Sequence, residues 1–440
     1  MTGSASASLF FSRRFHIALF LFFNVLINFV DRVNLSVAAP AIARQFHWDA
    51  VRMGWIFSAY LWTYTILLIP AGWLVDRWGT RMVSALSIVV WSGSAMLTGA
   101  VSSLAGMIAA RWGLGVGEAA AMPACNRVVR QWFPVQERGL VTAIFHCGVL
   151  MSAAVGSPLA AWLVIRTGWR LSFAIMGASG FVWLVCWLRW FDVPERAPWL
   201  SAGERRHILE NRHAPEPQGN GFWAVAEVLM RQRSVWGLAL TEGCVNYMNY
   251  MFLAWLPSYL IRDRGMDLMR AGLYSAIPYA AGIVAEIGFG RLSDRLLTPA
   301  RVQSGARRNQ AVLFLLLSSV ALLIPAVRSQ GAIIALISLA VSFNTTTVTF
   351  MYALTNDLVA DPEVVGTAFG FMLVGGNLFG MAAPVVTGYL VRALGNFSAA
   401  FLVAGALPIL GAAAAILMTR EPIHGLRMAG AAAHARIGGL

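Results

Sequence analysis

Apolar runs of about 20 residues, the length of helix that crosses a bilayer core, follow one another along nearly the whole chain. In lipid every backbone N–H and C=O must find its partner inside the protein, so each run must be a helix unless the chain closes into a barrel. Barrel strands alternate apolar and polar residues, and these runs do not. Composition agrees: 58% of the 440 residues are hydrophobic, 12% are charged and the mean hydropathy is +0.66, well away from the balance of a soluble domain. The fold class that follows is an all-α polytopic membrane protein.

The segments fall near 16–39, 53–75, 82–102, 104–126, 139–165 and 171–191, then near 235–261, 269–292, 311–327, 331–356, 365–391 and 398–419. Twelve transmembrane helices in two six-helix bundles are therefore expected. The expected divisions are 1–191 for the first bundle, 192–233 for a cytoplasmic connector, 234–420 for the second bundle and 421–440 for a cytoplasmic tail. The connector holds Pro194, Pro198, Pro215 and Pro217 and has mixed charge. It carries no catalytic or sensory motif, which argues against a transporter-like sensor.

Arginine placement sets the orientation. With the N-terminus inside, the cytoplasmic segments hold 22 arginines and the external loops nine, and Arg32 and Arg111 lie within apolar segments. Both termini are thus expected in the cytoplasm, in the inner membrane of a bacterium. The net charge of +13 reflects this topology; no single basic face gathers for a nucleic acid. All 33 basic residues are arginine, which excludes a lysine Schiff base and a Walker-type phosphate loop. Cys125, Cys147, Cys186 and Cys244 show no metal-ligand spacing. No cofactor or metal is implied, no nucleophile constellation marks an enzyme, and a functional monomer is expected.

A short motif repeats. Gly72-Trp-Leu-Val-Asp76-Arg77-Trp-Gly79-Thr-Arg81 follows the second segment, and Gly290-Arg-Leu-Ser-Asp294-Arg295 follows the eighth, 218 residues later. Recurrence at the same place in each half points to two related bundles, as in many secondary transporters. Charges inside the apolar segments are the second signal, because ionised groups in lipid are costly and mark substrate or proton pathways. Asp31 and Arg32 interrupt the first segment, and Arg111 and Glu118 stand seven residues apart in the fourth. Seven residues are nearly two helical turns, about 10 Å, so Arg111 and Glu118 share one helix face. From helix rise, Arg32 and Arg111 are expected at similar depth in the outer half of the membrane, with Glu118 about 10 Å further in. Gly113, Gly115 and Gly117 lie between, and with no preceding strand they read as a close-packing face, not a nucleotide loop.

With these residues the chain resembles the major facilitator superfamily. Within it the chain resembles the anion:cation symporter family, which includes bacterial galactonate, glucarate and hexuronate transporters and the vesicular glutamate and sialic-acid carriers. The resemblance rests on Asp31-Arg32, on Ser58 to Tyr64, on Arg111 to Glu118, on Trp255-Leu-Pro257-Ser-Tyr259-Leu, and on Gly366 to Gly388 with Asn377 and Pro384. It implies that Arg32 and Arg111 meet a substrate carboxylate, that Asp31 and Glu118 take part in protonation, and that Tyr64 and Asn377 contact polar substrate groups. The glycines, acids and arginines of the repeated motif (Gly72, Asp76, Arg77, Gly79, Arg81; Gly290, Asp294, Arg295) would serve gating.

The expected function is proton-coupled uptake of a small organic anion such as a sugar acid, with the anion, the proton and the lipid bilayer as partners. An exchanger or efflux carrier is the alternative; Gly156-Ser157-Pro158 only partly matches the glycine-proline motif of drug antiporters. For Asp31, simple ion pairing with Arg32 or Arg111 stands beside the proton role. Glu242, Glu286 and His146 are further titratable groups in apolar segments. Glu286 is open between pairing with Arg291 or Arg295 and carrying protons, while packing suits His146 better than titration.

Overall fold

In a computed structural model of the chain, the described residues are 12–212, 222–298, 304–361 and 364–425. The expected tail from 426 onward lies outside them, as does the middle of the connector.

The helices are α1 (Phe15–Phe46), α2 (Ala50–Trp78), α3 (Thr80–Ala100), α4 (Leu104–Glu118), α5 (Ala121–Trp132) and α6 (Val135–Trp190). They continue with α7 (Ala202–Asn211), α8 (Phe222–Met230), α9 (Arg233–Arg262), α10 (Leu268–Leu296) and α11 (Ala306–Ser318). The last are α12 (Gln330–Leu358), α13 (Val365–Leu394) and α14 (Ser398–Met418), with a 3-10 stretch Ser319–Ala326 running on from α11. No strand occurs among the described residues, only an isolated bridge between Val359 and Ile423. Each of the twelve expected apolar segments falls on a helix. Among the described residues, nine helices are long and apolar enough to cross a membrane.

Two expected segments share α6, whose 56 residues bend at Gly168, where φ is +80°. That left-handed conformation is open to glycine and strained for other residues. The fourth segment is split instead: α4 ends at Glu118 and α5 resumes at Ala121. Polar caps start several helices where the first N–H groups would be orphaned. Asp49 accepts from Arg52 N at 3.0 Å, and Ser103 accepts from Gly106 N at 3.1 Å.

The chain separates into two compact units, Met1–Pro215 with Leu256–Ala276, and Glu216–Trp255 with Ile277–Leu440. In the first, α1 and α3 pack on α6, while α4 packs between α2 and α3. Its polar residues point inward, with Asp31, Arg111 and Glu118 all 1% exposed or less. Apolar side chains point out in both units: Ile66, Val182 and Val284 are each about two-thirds exposed or more. This inversion of the soluble pattern suits a molecule solvated by lipid.

The second unit is held by polar cross-links between helices. Asn344 of α12 donates to Val245 O of α9 (3.2 Å), Thr349 of α12 donates to Glu286 of α10 (2.6 Å), and Trp255 of α9 donates to Pro384 O of α13 (3.1 Å). Glu286 is thus engaged by a threonine hydroxyl; no ion pair with Arg291 or Arg295 occurs among the described residues.

The first part of the connector is anchored. Arg14, just before α1, pairs with Glu137 at the start of α6 (2.6 Å) and with Glu204 of α7 (3.3 Å). Trp132 and Trp199 stack with centroids 5.3 Å apart, and Ala197, Leu200 and Ile208 are buried.

Candidate functional site

The charged residues of α1 and α4 meet inside the first unit. Arg32 donates from Nε (2.9 Å) and Nη2 (2.6 Å) to Oε2 of Glu118, and the pair is almost fully buried. Asp31 lies within electrostatic reach of Arg32, Arg111 and Glu118. Neither carboxylate oxygen of Asp31 has a hydrogen-bond partner, and the same holds for Oε1 of Glu118 and for Nε and Nη1 of Arg111. Buried donors and acceptors are normally satisfied. Five unmatched atoms gather in this one charged cluster.

Aromatic rings frame the cations. The Arg32 guanidinium lies 4.1 Å from the Phe29 ring centroid, 4.8 Å from Tyr60 and 5.3 Å from Tyr64. Arg111 lies 5.2 Å from the same Tyr60 ring, so one tyrosine faces both arginines. At these distances a ring face attracts a cation, and more so where water is excluded. Tyr60 and Tyr64, one turn apart on α2, are held near α4 because Gly115 lets the two helices touch. A Cβ at Gly115 would run into the Tyr60 carbonyl and the Thr63 hydroxyl.

Gly117 does the same toward α3, where a Cβ would sit 2.5 Å from the backbone nitrogen of Trp91. Gly117→Ala is therefore expected to cost about 1–3 kcal/mol by overpacking and to impair the adjoining Glu118. Thermal unfolding in detergent checks it, with Gly93→Ala as control, since nothing lies within 4 Å of a Cβ at Gly93. Equal melting of the two variants would contradict the close-packing role.

One relation differs from expectation. Helix rise alone placed Arg32 beside Arg111 and well above Glu118, whereas the Arg32 side chain reaches directly to Glu118. The rise locates the Cα atom and neglects the length of the arginine side chain. Arg111, not Arg32, is the guanidinium with unmatched donors. Asp31 makes no hydrogen bond with either arginine. Among the residues implied by resemblance, Tyr64 joins the cluster, while Asn377, 6% exposed, stands on α13 in the second unit. Tyr60, Phe29 and the buried Asn28 were not singled out. The spacing of Tyr60 and Tyr64 by four residues was the available signal.

The repeated motif lies at helix ends. Asp76 pairs with Arg127 of α5, Arg77 lies 5.3 Å over the Trp73 ring, and Gly79 (φ +81°) separates α2 from α3. Arg81 donates to Leu188 O (2.6 Å) and to Asp192 (3.3 Å). Gly72 faces Pro123 of α5. In the second copy, Gly290, Asp294 and Arg295 remain within the last turns of α10. Gly290 is open and Arg295 exposed, and the Asp294 side chain lies outside the described set.

Long helices with apolar outer faces mark a membrane protein, and the first unit encloses the charged cluster of α1 and α4. The family model of the Major Facilitator Superfamily matches residues 21–340. The chain is 33% identical to a probable galactarate/D-glucarate transporter of Escherichia coli (strain K12), across 89% of this chain and 91% of that one. It is 32% identical to a probable sulfoacetate transporter of Cupriavidus necator, across 89% and 90%. Its fold resembles that of a bacterial homologue of the human lysosomal transporter Spinster, crystallised in an inward-facing and occupied conformation, with a TM-score of 0.71, 18% identity, and 92% of this chain and 97% of that one covered. The chain belongs to the Major Facilitator Superfamily of membrane transporters.

Proposed function

We propose that the protein is a secondary transporter of small organic anions that couples uptake to protons, in the inner membrane of a bacterium with both termini in the cytoplasm, working as a monomer. Transport, not catalysis, is its task. The observation that supports this reading best is Arg111: a buried guanidinium with two unmatched N–H donors, facing Tyr60, among carboxylates with unmatched acceptors. A planar, permanently charged guanidinium suits a carboxylate or sulfonate, and Nε and Nη1, on different edges of the group, can each donate to an anionic oxygen. The relatives named for a sugar diacid and for a sulfoacetate are consistent with an anionic group as the shared feature.

Charge balance supplies the coupling. With Asp31, Glu118, Arg32 and Arg111 all ionised, the cluster is neutral. An entering anion makes it negative in a medium where uncompensated charge is expensive. A proton taken by Asp31 or Glu118 offsets one negative charge of the entering anion, so anion and proton enter together. When Glu118 takes the proton its hold on Arg32 weakens, which frees Arg32 as a second anion ligand. Tyr64 and Asn377 supply polar contacts in this scheme, and the helix-end motifs with Asp76, Arg77, Arg81, Asp294 and Arg295 control closure.

The test is uptake into proteoliposomes of D-glucarate, galactarate and sulfoacetate, with an uncharged sugar alcohol as control and with or without an acidic exterior. Accumulation of at least one anion that rises with the proton gradient is expected. Glu118→Gln is expected to keep anion exchange and lose accumulation. Uptake indifferent to the gradient would point to the exchanger alternative, and a Glu118→Gln protein that still concentrates its anion would move the proton to Asp31.

A further inference from the structure

A second buried carboxyl group stands apart from this cluster. Glu242 of α9, in the second unit, is 1% exposed. Its Oε1 accepts from Asn246 Nδ2 at 3.3 Å, and its Oε2 has no partner. The site is shaped around it: a Cβ at Gly376 of α13 would lie 2.9 Å from Glu242 Cγ and would run into the Asn246 amide. Asn377 follows on the same helix.

No charge compensates Glu242. Among the described residues Glu242 takes part in no ion pair. The other titratable groups on this part of α9 are Cys244, Tyr247 and Tyr250. The contrast with Glu118, gripped by Arg32, is complete. A glutamine at 242 would accept the same bond from Asn246 and fill the same space with no risk of a stranded charge. What a carboxyl adds over an amide is the capacity to bind and release a proton. It does not serve anion binding, since its ionised form repels the anion.

The internal repeat places this group. Shifting the sequence by the 218 residues between Gly72 and Gly290 sets Glu242 on Asn24, Asn246 on Asn28 and Asn249 on Asp31. On α1, Asn24, Asn28 and Asp31 are all buried. The same stripe thus occurs in both halves, with its carboxyl group moved about two turns along the helix.

We infer that Glu242 is a second proton-binding site, in the α9–α13 contact of the second unit, a role that presupposes the proton-coupled transport proposed above. It holds a proton while α9 and α13 are closed around it. It exchanges that proton when their parting at Gly376 admits water, and so adds one proton to each transport cycle.

Two measurements test it. In proteoliposomes loaded with the anion that the panel identifies, the proton-to-anion ratio is read from the pH gradient that just balances a known anion gradient. Glu242→Gln is expected to lower the ratio by one while exchange continues, and Glu242→Asp to restore it. A ratio unchanged in Glu242→Gln would overturn the inference and leave Glu242 a packing residue. The second measurement needs neither a variant nor transport. Dicyclohexylcarbodiimide, which adds to protonated carboxyl groups in apolar surroundings, is applied to the purified wild-type protein at acidic and alkaline pH, and adducts are mapped by mass spectrometry. A Glu242 adduct that diminishes at alkaline pH is expected; no adduct at acidic pH, or one indifferent to pH, would overturn the inference. Because labelling does not depend on the cargo, failure of the anion panel and failure of the Glu242 site are distinguishable.

Discussion

Arg32→Met is expected to destabilise the protein by about 3–5 kcal/mol, the usual consequence of removing one partner from a buried ion pair. The penalty arises less from the lost attraction than from the carboxylate left behind. Glu118 is wholly buried, its Oε1 is already unmatched, and Arg32 supplies both bonds to Oε2. Methionine keeps the apolar stem of the side chain and loses the guanidinium, with its stacking on Phe29 and Tyr60. The double variant Arg32→Met/Glu118→Leu removes both charges and is expected to recover most of the lost stability, while neither protein transports. Thermal unfolding of the three proteins in one detergent decides the matter. Equal melting of the single and double variants would mean that the pair does not fasten α1 to α4.

Arg111→Met is expected to show the opposite balance: a smaller loss of stability than Arg32→Met, with anion binding abolished. No hydrogen-bonded carboxylate is stranded when Arg111 leaves, because its Nε and Nη1 have no partner in the protein. Two charge-assisted hydrogen bonds to an anion at about 1.5–3 kcal/mol each correspond to an affinity loss of at least about a hundredfold. Arg111→Lys keeps the charge but loses the planar fork, so it is expected to recover only part of this. The check is the rise in melting temperature that D-glucarate or sulfoacetate produces in the wild type through preferential binding to the folded state. A wild-type-sized rise in Arg111→Met would assign the anion to Arg32.

The helices could be read from the sequence because lipid leaves the backbone so few options, and every expected apolar segment proved helical. Their joints were less legible. The bend at Gly168 turns on a single-residue dihedral that hydropathy does not record, and the break after Glu118 passes through Ala119 and Ala120, whose dihedrals stay in the helical region. Asp31, Arg32, Arg111 and Glu118 could be singled out because charge in an apolar run is conspicuous. Which arginine meets which carboxylate could not, since the answer depends on the reach of Arg32 across two helices. The four-residue spacing of Tyr60 and Tyr64 was a faint signal, but it could not show that the Tyr60 ring faces both guanidiniums. Glu242 was visible as a charge, but its isolation from any cation was not.

The anchored start of the connector bears on how this molecule can be divided. Arg14, Glu137 and Glu204 join the N-terminal approach to α1, the start of α6 and α7, and Trp199 is stacked on Trp132. For separate expression of the halves, or insertion of a reporter, a cut at Phe191 would remove Glu204 and Trp199 from the half that holds their partners. A junction beyond Arg212 keeps these contacts within one polypeptide.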